Sequence, residues 1–140
     1  MGYEVGLHKT VRAVHQMPGK PPPEGEPHHH DYRFEVVVGR ERLDEQDMVC
    51  DLDVLEAALG DLLGRIADRD LEIIRPPEAV AVTVEVLARW AYDALAETVR
   101  KAGADTLSVR VWESPEAFGG YRGRPQCSGL QAGGEADQLA

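Results

Sequence analysis

The chain has 140 residues, 43% of them hydrophobic, which is enough for one domain with a buried core. Its formal net charge of −10 argues against binding to nucleic acid or to an anionic membrane surface, because phosphate contacts require a basic surface. No apolar run approaches the roughly 18–20 residues that span a bilayer, and residues 1–9 lack the apolar core of a signal peptide, so we expect a cytoplasmic protein.

The N-terminal part of the chain predicts two β-strands joined by an irregular loop. Residues 3–15, YEVGLHKTVRAVH, mix apolar and β-favouring residues without a helical stripe, which indicates an extended strand. Residues 16–27, QMPGKPPPEGEP, are too rich in proline and glycine for regular structure. Residues 32–38, YRFEVVV, are β-branched and aromatic and predict the second strand, with a turn following over 39–47.

Two amphipathic helices are predicted next. Residues 48–70 carry apolar side chains at steps of three and four, and Asp51 or Asp53 can cap the start. The positions that set this period are Leu52, Leu55, Leu59, Leu62, Leu63 and Ile66. After the prolines at 76–77 the pattern returns, opening on Thr83 and closing at Gly103. The repeating positions here are Leu87, Ala91, Ala94, Leu95 and Thr98.

The C-terminal part predicts two more strands and a tail. Residues 105–113, DTLSVRVWE, alternate in polarity, and residues 117–123, AFGGYRG, can form a short fourth strand. The order ββααββ predicts an α+β domain over residues 1–122, with two helices on one face of a four-stranded antiparallel sheet. The polar, glycine-rich residues 123–140 are predicted to be disordered.

The two cysteines, Cys50 and Cys127, are far apart in the chain, so neither a disulfide framework nor a cysteine-rich zinc site is indicated. We expect Cys50 to be a small core residue.

Histidines at the end of the first strand and the start of the second predict a metal site. Side chains alternate along a strand, so His28 and His30 share a face and His29 points away. If the two strands pair as a hairpin, His15 lies beside them, and three imidazoles with an open position suit catalytic zinc. The alternative is that these are solvated polar residues at a strand entrance. His8 lacks this geometry and, like His29, is interpreted as a surface or packing residue.

Five segments carry a family resemblance: VRAVHQMP, EGEPHHHDYRFEVVV, DMVCDLDVL, TVEVLARWAYDAL and VRVWESP. Over residues 3–122 the chain resembles the family of 6-pyruvoyl-tetrahydropterin synthase and 6-carboxytetrahydropterin synthase, whose subunit, the T-fold, has the same order of elements. That family's metal motif is a histidine at a strand end and then HGH. His15, His28 and His30 match it, with His29 in place of the glycine, so the resemblance implies bound zinc on these three residues.

The resemblance also implies a pterin anchor and an assembly. The family holds its pterin with a glutamate on the third strand followed by a small hydroxyl residue, and Glu113 and Ser114 occupy those places. A carboxylate can accept two parallel hydrogen bonds from the amino group and a ring N–H of a pterin. The alternative is a surface glutamate at a strand end. Members of the family form trimers paired into hexamers, with active sites shared between subunits, so a homo-oligomer is expected.

The chain departs from the family in the proton-transfer groups. Where the family has a catalytic cysteine, four residues before the HGH motif, this chain has Glu24. The family's aspartate–histidine pair in LDHxxLN is replaced in IADRDLE by Ala67 and Asp68. A branch of the family with glutamate in the cysteine position cleaves the side chain of dihydroneopterin-type substrates to 6-hydroxymethyl-7,8-dihydropterin.

A zinc-dependent lyase on a reduced pterin is therefore predicted, with Glu24 and Asp68 as the proton-transfer candidates. Three alternatives stay open. Glu24 is an ordinary loop residue in one of them. In another the enzyme is a 6-pyruvoyl or 6-carboxy synthase acting on dihydroneopterin triphosphate. In the third the protein binds pterin and zinc without catalysis.

Overall fold

The computed structural model describes residues 1–126, which form one four-stranded antiparallel sheet with two helices on one of its faces. The elements are β1 (Tyr3–His15), β2 (His28–Arg40), α1 (Leu52–Gly64), a short 3-10 helix (Leu71–Ile74), α2 (Val84–Lys101), β3 (Thr106–Ser114) and β4 (Ala117–Gly123). The strands lie in the sheet in chain order, each antiparallel to the next. The predicted α+β architecture with the order ββααββ is confirmed.

The sheet has one buried and one open face because its side chains alternate. On β1, Val11 and Ala13 point towards the helices and are buried, whereas Thr10 and Arg12 between and beside them are exposed. Strand β2 begins at His28, four residues before the predicted start, because it pairs with β1 along its whole length. The histidine triplet therefore belongs to the strand itself.

Helix α1 is shorter than the predicted stretch of 48–70. Asp51 caps it, with its side chain accepting a hydrogen bond from the Asp53 N–H at 2.9 Å. The helix ends at Gly64, and Asp68 has a left-handed backbone with φ of 59°. Its N–H donates to the carbonyl of Arg12 at 2.7 Å, so the chain after α1 attaches to the outer edge of β1 instead of continuing the helix.

Helix α2 follows its sequence signals closely. The Thr83 hydroxyl accepts a hydrogen bond from the Val86 N–H at 3.1 Å and caps the helix. Gly103, with φ of 94°, ends it, as expected for a residue after a helix C-cap. The buried face of α2 consists of Leu87, Ala88, Ala91, Tyr92, Leu95 and Val99.

The core lies between this helix layer and the sheet, with Phe34, Val36 and Leu59 among its fully buried side chains. Cys50 is buried, as expected for a small core residue, and forms no disulfide within residues 1–126. Within residues 1–126, neither helix combines the length and apolar composition that a membrane span requires. Strand β4 includes Gly123, one residue beyond the predicted domain boundary, and the predicted disorder of residues 127–140 lies outside the described residues.

Candidate metal centre

Three histidines converge at the loop end of the first two strands. His15 is the direct cross-strand partner of His28, and His30 lies on the same face two residues further along β2. One ring nitrogen from each residue lies within 4.8 Å of those of the other two. The predicted convergence is confirmed. His29 points to the opposite face and is exposed. His8, further from this end of β1, is also exposed.

Hydrogen bonds define the tautomer of His28. Its Nδ1 lies 2.7 Å from the backbone carbonyl of Glu26, and a carbonyl can only accept, so Nδ1 carries the hydrogen. The other ring nitrogen of His28, Nε2, lies 2.8 Å from Nε2 of His30, so these two nitrogens face the same point. A histidine whose one ring nitrogen is held by a carbonyl and whose other nitrogen faces further imidazoles has the usual arrangement of a metal ligand.

His15 is the most buried of the three. The residue is 7% exposed, and neither ring nitrogen has a hydrogen bond of good geometry within residues 1–126. The pKa of His15 is lowered, mainly by burial and then by the charges of His28 and His30, while the Val82 backbone and Glu113 act weakly in the opposite direction. A neutral imidazole is therefore favoured at neutral pH, which leaves a lone pair available in the interior.

The donor set fits a zinc ion. Three imidazoles match the His₃ ligand sets of catalytic zinc sites, which keep a fourth position open. An unpartnered buried imidazole costs stability unless something binds it, and a cation bound by His15 would remove that cost. Among the histidine, cysteine, aspartate and glutamate side chains of residues 1–126, one group of three is placed so that it could hold a metal ion, and it consists of His15, His28 and His30.

Glu113 lies on the same face of the sheet, at the end of β3. The pairing of β3 with β4 is irregular between Trp112 and Ser114, so Glu113 lies at a break in the ladder. Its side chain is exposed, and its negative charge acts on both His15 and Tyr32. The structure therefore brings the predicted pterin anchor to the predicted metal ligands.

Ser114 has a structural task in the β3–β4 turn. Its hydroxyl accepts a hydrogen bond from the Glu116 N–H at 3.3 Å. A groove of about 440 Å³ lies at this end of the sheet, mostly on the open face opposite the metal ligands. It is lined by Thr10, His29, Asp31, Arg33 and Trp112 of that face together with His30, Glu113, Ser114 and Pro115. A groove of that size is within the range of small-molecule sites.

Glu24 lies in the loop between β1 and β2. Its carbonyl accepts a hydrogen bond from Met17 at 2.7 Å, and the side-chain amide of Gln16 donates to the carbonyl of Gly25 at 2.9 Å. These bonds tie the two sides of the loop together next to the paired His15 and His28. The Glu24 carboxylate is exposed and forms no hydrogen bond or ion pair with the part of the chain that the structure describes.

Asp68 does not join the histidines. Its backbone N–H donates to β1, and its exposed side chain forms no hydrogen bond or ion pair with a histidine among residues 1–126. Ala67 beside it is also exposed. The segment fixes the end of β1 mechanically, because the Val14 N–H also donates to the carbonyl of Arg69 at 2.8 Å.

Tyr32 belongs to this site although the sequence reasoning did not select it. It is 1% exposed, and its ring lies against that of His30 with centroids 5.5 Å apart. Its hydroxyl is buried without a hydrogen-bond partner in residues 1–126, and its pKa is raised well above the ordinary value by burial and then by Glu113. The signal that could have found it is the strand period, since His28, His30 and Tyr32 occupy alternate positions.

The fold and the site together define a T-fold subunit, in which two helices cover an antiparallel sheet that carries three histidines at one end. The family model of 6-pyruvoyl tetrahydropterin synthase matches residues 4–124 of the chain. The chain belongs to the 6-pyruvoyl tetrahydropterin synthase family. No curated protein matches it in sequence.

Solved structures show the same fold at low sequence identity. A Plasmodium vivax 6-pyruvoyltetrahydropterin synthase, in which a catalytic glutamate is replaced by alanine, aligns with a TM-score of 0.70 and 10% identity, covering 89% of this chain and 99% of that one. The Caenorhabditis elegans 6-pyruvoyl tetrahydropterin synthase aligns with a TM-score of 0.63 and 17% identity, covering 88% of this chain and 96% of that one. At these identities the likeness establishes the fold alone.

Proposed function

We propose that the protein is a zinc-dependent lyase that cleaves the side chain of a reduced pterin, dihydroneopterin or one of its phosphates, to give 6-hydroxymethyl-7,8-dihydropterin. His15, His28 and His30 bind the zinc, Glu113 and Ser114 bind the pterin, and Glu24 transfers the proton. The observation that carries the proposal is the buried, unpartnered His15 between two further imidazoles, with Glu113 on the same face.

The arrangement suits a substrate with two different ends. The Glu113 carboxylate can accept parallel hydrogen bonds from the amino group and a ring N–H of a pterin. The substrate's hydroxylated side chain then extends towards the histidines. Zinc bound there would supply positive charge that favours loss of a proton from a side-chain hydroxyl.

Glu24 is the proposed base for a retro-aldol cleavage. It takes the proton from the hydroxyl on the departing carbon, the carbon–carbon bond breaks as that carbon becomes an aldehyde, and the reduced ring accepts the electron pair. The proton returned to the remaining carbon completes the hydroxymethyl product. Glu24 lies in the loop braced next to His15 and His28, and its exposed side chain has no competing partner within residues 1–126. Asp68, at the β1 edge, is the weaker candidate for a second proton-transfer group.

Product analysis tests the reaction. Zinc-loaded protein is incubated with dihydroneopterin and with its mono- and triphosphates, and the products are separated by chromatography. A 6-hydroxymethyl product is expected from at least one of them. Recovery of unchanged starting material from all three would refute the lyase proposal.

The Glu24→Gln variant tests the base. We expect turnover to fall by at least about 100-fold, the range for loss of a general base, with zinc affinity unchanged. Glu26→Gln is a matched control on the same loop, since only the backbone carbonyl of Glu26 contacts His28. Near wild-type turnover of the Glu24 variant would assign proton transfer to another group.

A synthase reaction on dihydroneopterin triphosphate is the second candidate. It is favoured by the Plasmodium vivax protein, a 6-pyruvoyltetrahydropterin synthase by name whose catalytic residue is a glutamate. Glutamate in place of cysteine is thus compatible with either reaction. The same chromatogram separates the two candidates, because a 6-pyruvoyl or 6-carboxy product from the triphosphate would replace the lyase proposal.

Loss of catalysis is the third candidate, favoured by the lack of any hydrogen bond or ion pair between the Asp68 side chain and a histidine among residues 1–126. A non-catalytic homologue would bind pterin and zinc and convert none of the candidate substrates. Tight pterin binding without any product would support it.

We further propose a homo-oligomer. Strand β4 is at the edge of the sheet, with β3 as its partner among residues 1–126, and a free strand edge favours pairing with another copy. Sedimentation equilibrium is expected to give a trimer or a hexamer. A stable monomer would refute this assembly and any sharing of active sites.

A further inference from the structure

The hydroxyl of Tyr32 is a buried hydrogen-bond donor without an acceptor among residues 1–126. Its oxygen is inaccessible to solvent, and the residue as a whole is 1% exposed. Buried hydroxyl groups are nearly always hydrogen-bonded, because an unpaired one loses its interaction with water and gains nothing in return. An unpaired hydroxyl within a binding site is explained if a hydrogen-bond acceptor reaches it when the ligand is bound.

The surroundings of Tyr32 identify that partner. On one side its ring packs against His30 at 5.5 Å. On the other side lies β3, whose Trp112 pairs with Arg33 of β2. Because the two strands are antiparallel, Tyr32, the residue before Arg33, lies beside Glu113, the residue after Trp112. The carboxylate of Glu113 is exposed, forms no hydrogen bond or ion pair among residues 1–126, and is close enough for its charge to act on Tyr32.

We propose that Tyr32 is a positioning residue for Glu113: its hydroxyl donates a hydrogen bond to the Glu113 carboxylate when a pterin is bound. This inference rests on the proposed function, in which Glu113 holds the pterin ring. A carboxylate has about four acceptor positions, so it can accept from Tyr32 and still receive two bonds from a pterin. A fixed carboxylate binds more tightly, because less side-chain freedom is lost when the ligand arrives.

A double-mutant cycle with Tyr32→Phe, Glu113→Gln and the double variant tests the coupling. The measured quantity is the dissociation constant of dihydroneopterin, from a fluorescence titration with the zinc-loaded protein. Tyr32→Phe is expected to weaken binding about 3- to 10-fold in the wild-type background, the range of one hydrogen bond, and less than about 2-fold in the Glu113→Gln background. Tyr92→Phe, a buried tyrosine on α2 that contacts Tyr121, is the matched control and should leave the affinity unchanged.

Stability provides a second measurement that separates positioning from packing. Because the hydroxyl has no hydrogen-bond partner within residues 1–126, Tyr32→Phe should not lower the urea midpoint measured without metal or ligand. The proposal is overturned if the variant loses stability with unchanged affinity, or if the affinity loss is equal in both backgrounds.

The proposed function and this inference fail in different ways. If the wild-type protein binds dihydroneopterin and does not cleave it, the lyase reaction is refuted, and the cycle still decides the role of Tyr32. If it cleaves the substrate and Tyr32→Phe binds as the wild type does, the inference alone is refuted. If it binds no pterin at all, both are refuted.

Discussion

Replacing the buried His15 by leucine tests the candidate metal centre, because the change should act in opposite directions on the metal-free and the zinc-loaded protein. Both ring nitrogens of His15 lack hydrogen bonds within residues 1–126, and the residue is 7% exposed. Leucine has no polar atom to leave unpaired, so the folded state should tolerate it well. The imidazole of His15 should therefore stabilise the folded state only when it binds zinc.

The magnitudes follow from these two states. An unpaired buried polar group costs about 1–3 kcal/mol, so we expect the metal-free His15→Leu variant to be as stable as the wild type or about 1–2 kcal/mol more stable. Free zinc at 100 times its dissociation constant stabilises the wild-type protein by about 2.7 kcal/mol. With one of three ligands removed, the same zinc should stabilise the variant by less than about 1 kcal/mol.

The assay is urea unfolding followed by circular dichroism, in excess chelator and again at a fixed free zinc concentration. His8→Leu is the matched control, since His8 lies on the same strand and is exposed. It should change the free energy of unfolding by no more than about 0.5 kcal/mol in either condition.

Two results would refute the reasoning. Equal stabilisation of the wild type and the His15→Leu variant by zinc would show that His15 is not a ligand. A loss of more than about 2 kcal/mol in the metal-free variant would show that the imidazole has a structural partner, contrary to its unpartnered state in the structure.

Three further predictions concern proton linkage, ligand binding and helix capping. Burial lowers the pKa of His15 below 6.5, so below that pH the unfolded chain binds a proton that the folded chain does not, and the metal-free protein should lose stability as the pH falls from about 6.5 towards the lowered value. The free energy of unfolding of His15→Leu should change less steeply with pH over this range, and an identical pH dependence would contradict the assignment. Glu113→Gln should weaken dihydroneopterin binding by about 10- to 100-fold, as expected for a charge-assisted hydrogen bond, whereas Glu116→Gln in the adjacent turn should not. If a fluorescence titration gives Glu113→Gln the affinity of the wild type, Glu113 does not bind the pterin. Thr83→Ala should lower the free energy of unfolding by about 0.5–2 kcal/mol through loss of the α2 cap, and Thr83→Ser, which keeps the hydroxyl, should retain most of the stability. If urea unfolding shows the alanine variant to be as stable as the wild type, packing alone holds this helix end.

Local signals predicted the elements well where the physical rule is local. Thr83 and Gly103 mark α2 because a hydroxyl satisfies free N–H groups at a helix start and glycine adopts a left-handed backbone at its end. Apolar positions at steps of three and four likewise identified α1 from Leu55 to Leu63. These rules fail where a distant segment competes for the backbone, as at Asp68, whose N–H bonds to Arg12 on β1 and so does not extend the helix.

Strand alternation decided, from the sequence alone, that His28 and His30 share a face and that His29 lies on the other, because the period of two is a property of the extended backbone. What only the tertiary structure decided is the register that sets His15 opposite His28, and the neighbourhood of Tyr32 and Glu113 across two strands. Residues 32 and 113 are far apart in the chain, so their proximity depends on how β3 pairs with β2. A buried hydroxyl without a partner is likewise a property of the assembled core.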